Sequence, residues 1–181
     1  MLYWLEQELL KKSLKTSCRI ILGEDLREKG ATQPMKTINI LLVADTEKLI
    51  LTVQRLFPKM GFNVLVSDNA KEALKYLLEH DVPVVFIDHS MHGLDAFSLL
   101  EAIRLGHPVV EVFFLVDSHE LDNAAEAMRH GASDYLVKPV SIKSLLEKSE
   151  AACRRYQIHR HRIDDALHTA PLFKKRNNGL D

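Results

Sequence analysis

Between residues 37 and 157 the apolar positions follow two rhythms in turn. Short apolar runs of strand length cover Ile38 to Val43, Phe62 to Val66, Pro83 to Ile87, Val109 to Val116 and Tyr135 to Val137. Between them, apolar residues recur three or four apart, the spacing of a helix with one buried face. Ile50, Val53, Leu56, Phe57 and Met60 mark the first helix, and Ala70, Ala73, Leu74, Leu77 and Leu78 the second. A third spans Asp95 to Leu105, Leu121, Ala124, Ala125 and Met128 mark a fourth, and Ile142, Leu145, Leu146 and Cys153 a fifth. Thr46, Asn69 and Ser141 stand where a short polar side chain caps a helix start, and Gly61 stands where a left-handed residue ends one.

Five strands alternating with five helices predict a parallel sheet covered on both faces. The run from Val82 to Ile87 fits this, because a strand buried on both sides has no polar face to show. The expected fold is a flavodoxin-like (βα)5 doubly wound sheet with helical extensions at both ends. Its strand order, 2-1-3-4-5, is taken over from known folds of this pattern and is not read from the residues. In such sheets ligands bind outside the carboxyl ends of the strands. Three zones follow: a helical extension over 1–36, the sheet domain over 37–157, and a basic tail over 158–181.

Two strand ends carry carboxylates. Asp45 follows the first strand and Asp88 the third, and in the 2-1-3-4-5 order these strands are neighbours. Their tips then lie roughly 5 Å apart. Like charges that close repel unless a cation intervenes or one group is protonated. An all-oxygen site at a sheet edge suits Mg²⁺. Lys138, after the fifth strand, brings an ammonium to the same edge. A carboxylate beside Mg²⁺ and a lysine has the chemistry of a nucleophile toward a phosphoryl group.

The stretches ILLVAD (40–45), FIDHSMHGLD (86–95) and GASDYLVKPV (131–140) resemble the receiver domain of two-component response regulators. The resemblance covers about residues 37–157. It implies Asp88 as phosphoacceptor, Asp45 and Asp88 as Mg²⁺ ligands with the backbone carbonyl of Ser90, and Lys138 as the contact to the phosphoryl group. It further implies a cis peptide before Pro139 and Tyr135 as an aromatic that changes rotamer on activation.

The chain departs from the family's pattern near the site. Ala44 stands where the family usually carries a second acidic residue, which removes one contact to the metal. Val116 aligns with the Ser or Thr whose hydroxyl couples the phosphate to loop movement, and valine has no hydrogen to donate. Ser118 substitutes only if the strand slips by two residues. Asp117, next along, is a third carboxylate that repels an incoming anion unless it points away. His92 replaces the usual proline before Gly93.

Composition excludes more than it identifies. A net charge of −1 gives no overall nucleic-acid-like excess, so nucleic acid is not an expected partner. Cys18 and Cys153 form no zinc spacing, no apolar run is long enough to span a bilayer, and the N-terminus lacks a signal-peptide pattern. A cytoplasmic protein is expected. His89 and His92 have no metal-site spacing and read as exposed loop histidines. Leu2, Leu5, Leu9 and Leu10, with Tyr3 and Trp4 beside them, suit a face that forms a homodimer, docks on a partner or folds back on its own domain. Another alternative starts the natural chain at Met35. The tail is expected to extend the last helix and then fray. Residues 158–181 are too few for an output domain, so the chain is a stand-alone regulator or a fragment. The absence of a Gly-rich phosphate loop argues against an independent enzyme.

Two functions remain in view. One is an atypical receiver that takes a phosphoryl group on Asp88, with Mg²⁺, from a histidine kinase or phosphotransfer protein and then binds a downstream protein. The other is a phosphate-independent pseudo-receiver acting as an interaction module.

Overall fold

The structure, a computed structural model, describes residues 37–169. In chain order the elements are β1 Ile38–Val43, α1 Glu47–Leu56, a 3₁₀ turn Phe57–Met60, β2 Phe62–Ser67, α2 Ala70–Glu79, β3 Val84–Asp88, α3 Ala96–Gly106, β4 Glu111–Val116, α4 Leu121–Arg129, β5 Asp134–Val137 and α5 Ile142–Thr169. The five strands form one parallel sheet in the order β2-β1-β3-β4-β5, the flavodoxin-like order expected.

Period-two alternation sorts each strand between two cores. Leu41, Val43, Val85, Ile87, Val112, Phe114 and Val116 pack with Ala73 and Leu77 of α2, Leu99, Leu100 and Ile103 of α3, and Ala124 and Ala127 of α4. Ile40, Leu42, Val84, Phe86, Phe113 and Leu115 pack with Val53 of α1 and Leu145, Leu146, Ala152 and Cys153 of α5. Phe86 and Phe113 stack across neighbouring strands with ring centroids 5.3 Å apart. Each buried Val, Leu, Ile or Phe among these contributes about 1.5–3 kcal/mol of transfer free energy.

Local details modify the pattern read from the sequence. The first helical run breaks at Leu56, because Pro58 has no N–H for an α-helical bond and the chain tightens into the 3₁₀ turn. Gly61 ends that turn at φ 85°, accepting the left-handed backbone a side chain would resist. The Asn69 and Ser141 caps form, through 2.8 Å and 3.0 Å bonds from the N–H groups of Glu72 and Ser144. The Thr46 hydroxyl makes no capping bond, and only its carbonyl accepts from the amides of Leu49 and Ile50. β4 starts at Glu111 and not Val109, since the Val110 amide turns back to the His107 carbonyl. On α4 the buried face is Ala124 and Ala127, while Leu121 and Met128 are exposed.

α5 runs through Gln157 without a break and carries part of the basic segment as helix to Thr169. Side-chain hydrogen bonds tie it to the sheet's amino edge. The Tyr156 hydroxyl donates to Asp81 at 2.6 Å, Arg160 to the other Asp81 oxygen at 2.7 Å, and Arg155 Nε to Glu111 at 2.8 Å. Burial, then the Asp81 carboxylate, pushes the Tyr156 hydroxyl up to about 12. The expectations for 1–36 and for the end of the tail lie outside the described residues. Among those residues no helix is long and apolar enough to cross a membrane.

Candidate functional site

All five residues of β3 are buried, and the strand ends on Asp88 at 1% exposure. Its oxygen Oδ1 gathers three donors. The Ser90 amide lies at 3.2 Å and the Ser90 hydroxyl at 3.0 Å, both from the turn that follows the strand. The third is Nζ of Lys138, which also approaches Ser90 Oγ at 2.5 Å and Asp117 Oδ2 at 3.5 Å. Oδ2 of Asp88 receives no hydrogen bond among the described residues.

Backbone pairing delivers these groups to one place. Asp88 pairs in register with Leu115, and the His89 amide donates to the Leu115 carbonyl at 3.0 Å. The Lys138 amide donates to the Val116 carbonyl at 2.8 Å, carrying the β4–β5 ladder one residue past β5. The peptide joining Lys138 to Pro139 is cis. Gly93, at φ 76°, turns the chain toward α3, whose first turn Asp95 caps through the Ser98 amide at 3.0 Å. A cavity of about 340 Å³ opens beside Asp88, lined by Thr46, Lys48, Leu49 and Thr52 on the α1 side and by Lys138, Pro139, Val140 and Ile142 on the α5 side.

The other carboxylate positions separate. Val43 pairs with Ile87, so the next step in register sets Ala44, 1% exposed, against Asp88. Asp45 lies one residue beyond, exposed, with no hydrogen bond or ion pair among the described residues. Asp117 turns toward the site. A hydrogen bond from Ser90 and the charge of Lys138 hold its carboxyl below the usual carboxylate range, against an opposing effect of burial.

The three candidate switch positions take no part in this network. Val116 is fully buried in the α2–α4 core with Ile87 and Phe114. Ser118 is exposed, and its hydroxyl makes no hydrogen bond among the described residues. Tyr135 is 39% exposed on the edge strand. His89 is not the exposed loop residue expected. It is half-buried, its ring 5.2 Å from that of Phe97 and 6.2 Å from that of Phe114, and its Nδ1 is buried without a partner. His92 is exposed, and the described residues hold no cluster of three or more His, Cys, Asp or Glu side chains able to bind a metal. The direction in which Asp117 points and the wall supplied by α1 had no sequence signal, because only packing brings these residues together.

An open parallel sheet with a buried carboxylate and a lysine at its carboxyl edge defines a doubly wound α/β domain with one polar site at the strand ends. The model of the response regulator receiver domain matches residues 40–150, and the chain belongs to that family, the receivers of two-component signalling systems. The chain is 30% identical over 132 residues to a putative NtrX-like response regulator of Rickettsia bellii, and 29% identical over 127 residues to the transcriptional regulatory protein ZraR of Escherichia coli. These alignments take in 72% and 70% of the chain but 28% of each relative, so the chain spans under a third of their length. Among solved structures, the receiver domain of NtrX from Brucella abortus superposes with a TM-score of 0.59 at 26% identity, over 63% of the chain and 97% of that domain. A receiver domain protein from Clostridium thermocellum gives 0.62 at 29%, over 67% and 98%.

Proposed function

We propose that Asp88 accepts a phosphoryl group and that this domain signals by binding a protein partner in the phosphorylated state. The observation that carries the reading is the buried Asp88 carboxylate held on one oxygen by Lys138 and Ser90, with a cavity beside it. Lys138 and the Ser90 amide fix the carboxylate's orientation and leave Oδ2 free of hydrogen bonds. Attack by a carboxylate oxygen on the donor's phosphorus forms the acyl phosphate as the bond to the leaving group breaks. The leaving group keeps that electron pair, and Lys138 balances part of the gathering negative charge.

By donor chemistry the residues suit Mg²⁺. The donors are hard oxygens, from the Asp45 and Asp88 carboxylates and the Ser90 carbonyl, and the Asp45 carboxylate has no other partner among the described residues. When bound, the ion supplies Lewis-acid neutralisation of the phosphoryl oxygens. Ala44 offers no side-chain oxygen, which weakens the site relative to one with three carboxylates.

The donor proposed is a histidine kinase or a phosphotransfer protein. For the downstream partner, the exposed apolar residues Leu121 and Met128 on α4, with Tyr135 and Val137 on the edge strand β5, support docking along the α4–β5–α5 face. Incubation with acetyl phosphate and Mg²⁺, read by intact mass, tests the acceptor. One added phosphoryl group in the wild type and none in Asp88→Asn is the expected result. An unlabelled wild type, under conditions that label an ordinary receiver and with a phosphorylated kinase also supplied, overturns it.

A further inference from the structure

Lys138 Nζ carries three hydrogens, and three acceptors already face it: Asp88 Oδ1, Ser90 Oγ at 2.5 Å and Asp117 Oδ2 at 3.5 Å. A phosphoryl oxygen can bind this ammonium only by displacing one of them. Asp117 holds the longest of the three contacts, and it alone comes from the loop that leads into α4. The Ser90 hydroxyl has a single hydrogen and directs it to Asp88 at 3.0 Å, so it has none left to hold Asp117 in place. The usual hydroxyl switch is absent, because Val116 is a buried valine and Ser118 points to solvent.

We infer that Asp117 is an internal anion that holds Lys138 in the unphosphorylated chain and is expelled when Asp88 gains its phosphoryl group, so that the β4–α4 loop moves by ion exchange. It rests on the phosphoacceptor reading of Asp88. In the transfer from acetyl phosphate, a carboxylate oxygen of Asp88 bonds to phosphorus, the bond from phosphorus to the acetate oxygen breaks, and acetate leaves with its electrons. The singly charged carboxylate becomes a doubly charged acyl phosphate. Lys138 then pairs with the stronger anion, and the Asp117 carboxylate faces like charge. Asp117 also closes the turn before α4, since its carbonyl accepts from the Glu120 amide at 2.9 Å, and the Glu120 carbonyl in turn accepts from Asn123 at 3.1 Å. Its departure opens this turn and frees the start of α4. Asp117 is therefore a positioning residue, acting through Lys138.

The test compares wild type, Asp117→Asn and Asp117→Ala, each with acetyl phosphate and Mg²⁺. Intact mass gives the labelling rate, and amide hydrogen exchange follows Glu120. Asp117 is in a loop and about one-third exposed, so both variants are expected to fold, with unchanged far-UV circular dichroism as the check. Asp117→Asn, which keeps the shape and removes the charge, is expected to label about tenfold faster. Exchange at Glu120 is expected to rise on phosphorylation of the wild type, and to be raised in Asp117→Asn already without phosphate. A wild type that labels with no change at Glu120 overturns the inference and leaves Asp88 as acceptor. So does faster labelling in Asp117→Ala alone, which would make Asp117 a steric gate. If all three proteins fold and none is labelled, by acetyl phosphate or by a phosphorylated kinase, the acceptor reading fails and the exchange with it.

Discussion

Replacing Val116 by threonine tests the burial of the position that the resemblance aligned with a switch hydroxyl. The side chains are nearly the same shape, so the change leaves no cavity and adds no bulk. What it adds is one hydroxyl in a place that is 0% exposed, within the apolar cluster that also holds Ile87 and Phe114. The carbonyls of the adjoining strands are committed to the ladder, and that of Val116 already accepts from Lys138 at 2.8 Å. A buried hydroxyl without a partner costs about 1–3 kcal/mol. Unfolding entropy near 2.1 cal/mol/K per residue gives a domain of roughly 130 residues about 0.27 kcal/mol/K, so the melting temperature should fall by about 4–11 °C. Urea unfolding of wild type and Val116→Thr, fitted with a common slope, measures the difference directly. A change below about 0.5 kcal/mol, the range of ordinary surface substitutions, would refute the reasoning. Residue 116 would then face water or the polar site, and a hydroxyl there would be free to act as a switch.

Two further predictions concern buried charge. Lys138→Met leaves the Asp88 carboxylate, 1% exposed, without its cation and should cost about 3 kcal/mol, the low end for breaking a buried pair because Lys138 keeps some water contact. Adding Asp88→Asn should recover much of that loss, so strictly additive losses in the double mutant would show that the pair is not coupled. Glu150 on α5 is 8% exposed with Oε1 unpartnered, and burial raises its carboxyl above the usual value, with Arg154 opposing. Its contribution to stability is therefore full below the ordinary carboxylate range and is lost as pH rises through the raised value. Glu150→Gln should be more stable relative to wild type at pH 7 than at pH 4, and denaturant unfolding at both values checks the sign.

The order of elements was readable from residue pattern alone, because a strand buried on both faces and a helix with one apolar face have different periods. The apolar run that ends at Ile87 announced an inner parallel strand, which begins at Val84, and Asn69 and Ser141 announced their helices through local hydrogen bonds. Motif spacing also brought Asp88 and Lys138 into one proposed site, although 50 residues separate them. Local chemistry was legible where the partners are near in sequence, and less so where a ring or proline intervened. Pro58 cut short the first helical run, and His89, read as a loop residue, lies against Phe97 and Phe114.

Tertiary structure alone decided how the site's charges are shared. Sequence placed Asp117 near the site but left its direction open, since a loop residue's side chain is aimed by packing and not by period. The folded chain turns it to Lys138 and Ser90, buries Val116 and leaves Ser118 in solvent. The same holds for α5, whose tie to Asp81 joins Tyr156 and Arg160 to a residue more than seventy positions away. Periodicity reports which face of an element is buried. Which charges meet across loops depends on where the backbone ends each element, and that is settled only when all five strands are in register.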